Sequence, residues 1–172
     1  EPDEPVDETP LVIGDQAFAN TSIEEICFPH TLSTLGQYAF LQCLNLERVV
    51  FTSEEAPTLV TFSRGSQYMF GWEDDEHEVA IALEDTAEGC EQEYIDKWKL
   101  SMFGYLSKEE MAQDMSFNLM IDVMFDWPGE IWGDDGEYTP EFSAYFDDYV
   151  DVKVDQKLYE TEVLLSEMMG ID

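Results

Sequence analysis

The chain has 172 residues, of which 40 are acidic and only 7 are basic, and its formal net charge is −33. With 44% apolar and 13% aromatic residues it has the composition of a folded protein rather than a disordered one. A charge of this size and sign repels nucleic acid and anionic membranes, and it excludes both as partners.

The beginning of the chain bears on its location. No stretch has the roughly 18 to 20 consecutive apolar residues that a membrane-spanning helix requires, so we expect no membrane insertion. No charged segment followed by an apolar one begins the chain, and its first residue is Glu1 rather than Met. This start is typical of a processed or excised piece, from which any export signal has been removed.

Residues 1–10 combine three prolines with five acids and are predicted to form an extended acidic linker. A near-duplication then begins. Segment 13–18 (IGDQAF) returns at 35–40 (LGQYAF), and segment 23–29 (IEEICFP) returns at 46–52 (LERVVFT). A period of this length predicts a solenoid, in which one short unit stacks on the next because neither can bury its apolar side alone.

Each repeat contains a turn and a strand. The Gly-x-x-Ala-Phe segment predicts a tight turn that leads into a short helical piece, with Phe18 and Phe40 sealing the core. Alternation along the strands predicts that Ile23, Ile26 and Phe28, then Leu46, Val49 and Phe51, point inward. Their neighbours would face solvent on the concave sheet: Glu25, Cys27, Arg48 and Val50.

The two repeats, residues 11–33 and 34–56, closely resemble the BspA-type leucine-rich repeat, whose pattern is roughly IGdyAFsgCssLtsvtIP. The match holds at the Gly-Asp, Ala-Phe and strand positions, and at Cys43, for which repeat one has Thr21. Repeat two departs from the family pattern at Thr52, which replaces the strand-ending proline that repeat one keeps as Pro29. Many bacterial surface and secreted proteins carry such repeats. The resemblance implies adhesion or protein binding across the concave face, with neither enzymatic activity nor a cofactor.

A closing unit is predicted after the repeats. Members of the family often end an array with a strand and a helix that finishes near a tryptophan, and residues 79–85 and 94–98 resemble that ending. Cys90, Tyr94 and Trp98 recur every four residues, so they form one apolar stripe that can cover the end of the core. The preceding segment, 72–78, is predicted to be an acidic loop.

The predicted fold class is α/β: a short leucine-rich-repeat solenoid with its closing unit over residues 11–105, followed by a C-terminal helical extension over 106–172. We expect strands at about 23–28, 46–51 and 79–83 to lie parallel in one sheet, with a helix at 87–99 closing its end.

The extension contains clear helix signals. Ser107 and Glu110 form a capping box at a helix start, and Trp127-Pro128-Gly129 ends that helix. Pro140, after Thr139, begins a second helix. A third is predicted from about Asp155 to Met169, with Gly170 as its stop.

The aromatic residues of the extension have three interpretations. The cluster contains Trp127, Trp132 and Tyr138 as candidate contacts for a sugar or a protein partner, because aromatic rings beside carboxylates can serve both. The same rings, with Phe125, Phe142, Tyr145 and Phe146, can also form the core of a small helical appendage.

Catalytic and metal sites are not indicated. His30 and His77 have no nearby Ser or Cys in a setting that resembles a nucleophile elbow, and the three cysteines have no metal spacing. An EF-hand over residues 151–162 is rejected because Lys153 replaces an oxygen ligand. The acidic turn 134–137 leaves weak calcium binding open.

The sequence thus predicts a non-enzymatic interaction or adhesion module of a bacterial surface or secreted protein. Its partner would be an unknown protein or a host surface ligand. The contact patch would centre on Glu25, Cys27, Arg48 and Val50, with Arg48 as an anchor for an acidic or aromatic group. Two alternatives stay open: a carbohydrate-binding module built on the aromatic C-terminal region, and a structural cap or spacer.

Overall fold

The computed structural model of the chain describes residues 8–60, 68–70 and 79–171. Most of the expected acidic linker and the expected acidic loop at 72–78 therefore lie outside the described residues. The described part of the linker, residues 8–10, is exposed and forms neither helix nor strand.

The chain divides into two compact units. The helical unit is Tyr105–Thr161, and the N-terminal unit combines Glu1–Gly104 with Glu162–Asp172. The described residues contain three α-helices: Glu91–Ser101 (α1), Lys108–Asp126 (α2) and Pro140–Met168 (α3).

The N-terminal unit is built from short parallel strands in two small sheets. Sheet A has the order β1-β3-β5 and sheet B the order β2-β4-β6, and every pair is parallel. The chain visits the two sheets alternately, so it forms three layers, each with one strand in either sheet. The strands of the described residues are Leu11–Ile13 (β1), Glu25–Cys27 (β2), Leu32–Leu35 (β3), Arg48–Phe51 (β4), Thr58–Leu59 (β5) and Ala80–Leu83 (β6).

Sheet B confirms the predicted parallel arrangement of three strands. Glu25 pairs with Arg48 and Arg48 with Ala80, and β4 and β6 stay in register as far as Phe51 and Leu83. The first offset is 23 residues, whereas the second is 32. This longer spacing conceals the third layer in the sequence.

Sheet A and its connection to sheet B were not predicted correctly. The expected short helical piece after Gly14 and Gly36 is a series of turns, with Gln16 and Asn20 at φ 55° and 60°. These left-handed residues interrupt any helix. Their amides donate to the next layer instead, since Gln16 N lies 2.9 Å from Gln37 O.

The turns of adjacent layers approach closely at Gly36. A Cβ atom added there would lie 2.4 Å from the carbonyl carbon of Gly14 and 2.5 Å from the amide nitrogen of Asp15. Real Cβ atoms do not come so near to backbone, so only glycine fits at this position. Asp15 stabilises the same contact, because its carboxylate accepts a hydrogen bond from Gln37 N at 3.0 Å.

Replacing Gly36 by Ala is therefore expected to lower the free energy of unfolding by about 1–3 kcal/mol, since two backbones must separate. Gly14→Ala is the matched control, because no atom lies within 4 Å of its added Cβ. Urea denaturation of both variants checks this. Equal losses would show that the contact does not set the spacing of the layers.

Aromatic rings connect the layers inside the core. Phe18 stacks on Phe40 with ring centroids 5.4 Å apart, and Phe40 stacks on Phe70 at 6.2 Å. Phe28 contacts Phe51 at 5.6 Å in a second column. Phe70 marks the third layer, in which Tyr68-Met69-Phe70 corresponds to Tyr38-Ala39-Phe40. The predicted inward residues are buried or pack against this core: Ile23, Ile26, Phe28, Leu46, Val49 and Phe51.

Phe40 has no exposed surface, and its ring lies between two others of the first column. Phe40→Ala is expected to cost about 3–5 kcal/mol of unfolding free energy, because it leaves a cavity between layers. Phe18→Ala should cost less, since Phe18 is half-buried in the outermost layer. Denaturant unfolding of the two variants measures the difference, and equal small losses would contradict a role of both rings in the core.

Helix α1 closes the end of the core. Tyr94 and Trp98 have no exposed surface, as the stripe predicted, and Trp98 contacts Phe51 at 5.1 Å and Phe70 at 6.2 Å. Tyr94 Oη donates to Ser53 O at 2.6 Å, and burial raises the pKa of this phenol above its usual value. Trp98 Nε1 donates to the carbonyl of Pro57 at 2.8 Å.

The C-terminal residues 162–171 belong to the same core. Leu165 has no exposed surface, and Met168 and Met169 pack against the buried cluster of the N-terminal unit. Lys99 Nζ binds the carboxylate of Glu162 at 2.6 Å, which raises the lysine pKa.

The helical unit confirms the predicted helix starts. Ser107 Oγ accepts from Glu110 N at 3.1 Å, and Thr139 Oγ1 accepts from Phe142 N at 3.3 Å. The separate helix expected from Asp155 was wrong, because α3 runs without a break from Pro140 to Met168. That sequence contains neither Gly nor Pro after Pro140, so nothing ends the helix before Gly170 at φ 69°.

Candidate functional site

The outward side of sheet B is the surface that the sequence predicted as a contact patch. Alternation along the strands puts Ile26, Val49 and Ile81 in or against the core and their neighbours on the opposite side. We call this outward side the strand face. Its residues are Glu25, Cys27, Arg48, Val50, Ala80, Ala82 and, directly after β6, Glu84.

Arg48 connects the three strands of this face. Its Nη1 binds Glu25 Oε2 at 2.9 Å, and its Nη2 binds Glu84. The hydrogen bonds that the guanidinium donates to Glu25 and then to Glu84 raise the pKa of Arg48. The prediction treated Arg48 as an anchor for a partner's acidic group, but both carboxylates already come from this chain.

Val50 does not offer the apolar area that the sequence predicted. Its exposed fraction is 2%. It lies in the middle strand between Cys27 and Ala82, its register partners. Arg48, two residues along the same strand, extends past this row to reach Glu84. We attribute the burial of Val50 to this overlying side chain. The prediction that Val50 is exposed considered the strand alone.

The remaining strand face is flat and acidic. The side chains of Ala80 and Ala82 are short and project little from the sheet. Cys27 is an exposed free thiol. Glu25 and Glu84, both about half-exposed, outnumber the single guanidinium. Such a surface can accept hydrogen bonds and ion pairs from donors of a basic partner.

The thiol of Cys43 has a structural role, and the repeat pattern predicted that Thr21 occupies the equivalent position. Cys43 Sγ donates to Phe18 O at 3.0 Å. Thr21 Oγ1, at the equivalent place in the first layer, donates to the same carbonyl at 2.7 Å. Both side chains thus bind turn backbone, and Cys43 is buried.

His30 contributes to a polar groove of about 390 Å³ together with Ser33 and Lys97. Ser33 Oγ donates to the carbonyl of Leu11 at 3.0 Å, and Lys97 Nζ donates to the carbonyl of Ala56. In the described part of the chain, no hydrogen bond joins His30 to a hydroxyl or a thiol. The groove thus contains no nucleophile activated by this imidazole.

Among residues 8–60, 68–70 and 79–171, no group of three or more His, Cys, Asp or Glu side chains is placed to hold a metal ion. In the acidic turn, Asp135 Oδ1 accepts from Glu137 N at 3.0 Å. No helix of the described chain has the length and apolar character to cross a bilayer.

The aromatic cluster of the helical unit divides into buried and exposed parts. Phe142 and Phe146 are buried with rings 6.1 Å apart, and Trp127 is half-buried against Phe142 and Tyr145. Phe125 does not join this core, because 86% of its surface is exposed.

Trp132 and Tyr138 form the exposed part. Their rings are 4.6 Å apart at an angle of 33°, and the two residues pair across the acidic turn. Trp132 is 55% exposed. Tyr138 also contacts Phe142 at 5.2 Å, so the exposed tryptophan is supported by the core. Of the three predicted aromatics, Trp132 is therefore the most accessible.

One exposed apolar row, on α2, was not predicted from the sequence. Phe117, Ile121 and Phe125 recur every four residues on α2, and more than half of each side chain is exposed. Their spacing was visible in the sequence. Met111, Met115 and Leu119 have the same spacing on α2, so spacing alone does not distinguish a buried row from an exposed one.

Three parallel strand layers joined by inter-layer backbone hydrogen bonds define a repeat protein. Residues 7–63 match the family model described as "BspA type Leucine rich repeat region (6 copies)", so this part of the chain is similar to BspA-type leucine-rich repeats. The resemblance predicted for residues 11–105 is thus confirmed over its first part. No curated protein and no solved structure matches the chain.

Proposed function

We propose that this chain serves as a protein-interaction or adhesion module of a bacterial surface or secreted repeat protein. The BspA-type repeat supports this class of function, since such repeats generally form non-enzymatic interaction domains. The three layers act as a short solenoid, and α1 covers one of its ends.

The strand face is the proposed contact surface, and the ion pairs around Arg48 are the observation that carries it. They hold two carboxylates in place across three strands, so little side-chain entropy is lost when a partner binds. Because the face is acidic and the whole chain carries a large negative charge, the partner's contact patch is basic.

Reversing the charge of the two carboxylates tests this surface. The double variant Glu25→Lys, Glu84→Lys should capture at least about tenfold less partner from host-surface and extracellular protein fractions than wild type does, because it turns attraction into repulsion. The matched control, Glu109→Lys with Glu141→Lys, makes the same charge change in the helical unit.

Immobilised wild type and variants are compared by quantitative mass spectrometry, and circular dichroism verifies that each is folded. Undiminished capture by the folded strand-face variant would contradict the proposal. An equal loss in the control would show that only net charge matters.

Carbohydrate binding is a second candidate, favoured by the exposed ring of Trp132 resting on Tyr138. On a glycan array, Trp132→Ala should abolish a wild-type signal that Glu25→Lys, Glu84→Lys leaves unchanged. A signal that survives Trp132→Ala would contradict this alternative. A chain that binds neither proteins nor glycans would leave the cap or spacer role.

A further inference from the structure

The outer edge of sheet B offers unpaired backbone. β6 is an edge strand, and β4 is its neighbour on one side only. Ala80 N donates to Glu47 O at 2.8 Å and Glu84 N to Phe51 O at 3.0 Å, so these amides face β4. Main-chain groups alternate between the two sides of a strand, so those of Ala80, Ala82 and Glu84 face β4 and those of Ile81 and Leu83 face the other way. Within the described part of the chain, the main-chain groups of Ile81 and Leu83 have no strand opposite them.

A groove of about 460 Å³ runs along this edge. All five residues Ala80–Glu84 line one side of it, and Glu167–Gly170 at the end of α3 line the other. Both sides belong to the N-terminal unit. The α3 side is held in place, because Leu165 is fully buried and Glu162 binds Lys99 at 2.6 Å. The groove is therefore preformed.

The lining indicates what would fit. Among the residues that the structure describes, its charged lining consists of Glu84, Glu91 and Glu167, without a lysine or an arginine. Met168 and Met169 supply unbranched apolar side chains that adapt to different shapes. Ala80 and Ala82 are small, so they leave room above the strand. An added strand would find main-chain partners along one side, pliable apolar contacts on the other and carboxylates at the rim.

We propose that β6 binds an extended, cationic peptide segment of a partner protein as an additional strand of sheet B. Main-chain hydrogen bonds with Ile81 and Leu83 give the binding mode, and the three carboxylates select lysine and arginine. A second copy of this chain is a poor occupant, because both copies are strongly acidic. This site lies at the edge of sheet B, so it goes beyond the proposed function of the strand face.

The probe is a fluorescein-labelled octapeptide of alternating lysine and valine, titrated with the full chain at low salt and followed by fluorescence anisotropy. The same peptide N-methylated at every residue keeps its charge but loses its main-chain donors. It should bind at least about tenfold more weakly. A glutamate–valine peptide should not bind. No binding of the lysine peptide, or equal binding of the N-methylated one, would overturn the proposal.

Two measurements locate the site. Saturating peptide should slow amide hydrogen exchange at Ile81 and Leu83 by about tenfold or more, as measured by NMR. Glu91→Gln with Glu167→Gln should weaken binding about fivefold, whereas the control Glu130→Gln with Glu141→Gln in the helical unit should not. Unchanged exchange at both amides, or equal weakening by the two double variants, would overturn the site. Glu84 is left intact because it also binds Arg48, so these variants keep the ion pairs of the strand face in place.

Discussion

The close approach of Gly36 to the backbone of Gly14 and Asp15 fixes how the first two layers sit on each other. At this contact the amides of one turn donate to carbonyls of the next, with Phe18 N 2.9 Å from Ala39 O. The rings that follow are then brought into stacking distance. The same spacing brings Glu25 opposite Arg48, so the surface charges of sheet B depend on a backbone contact beside the other sheet.

Much of this arrangement followed from the sequence, because a repeat constrains several properties at once. The offset between IGDQAF and LGQYAF predicted which residues occupy equivalent places, and Thr21 and Cys43 indeed bind the same carbonyl. Sheet A was missed because its strands are only two to four residues long and lack clear alternation. The third layer was predicted through its strand at 79–83, as a closing unit rather than as a repeat, because additional residues separate Phe70 from that strand.

The surface was harder to predict than the core. Burial of Phe40 follows from its own apolar character and the repeat, whereas we attribute burial of Val50 to the direction taken by the long side chain of Arg48. That direction is set by Glu84, which is 36 residues away in the sequence. Three of the seven basic residues show a similar dependence: Arg48, Lys99 and Lys108 each bind carboxylates of this chain. With so few cations, most acidic side chains remain available to solvent or to a partner.

The unequal spacing of the strands in sheet B has an evolutionary consequence. β4 and β6 keep their register over four residue pairs although 32 residues, rather than 23, separate the paired positions. Additional residues between the stacked positions are thus compatible with this packing, provided that Phe70 still stacks on Phe40 and β6 still pairs with β4. A lineage can lengthen one repeat and acquire new surface there without redesigning the interior. Selection can then act on the connecting segments of such proteins almost independently of their stability.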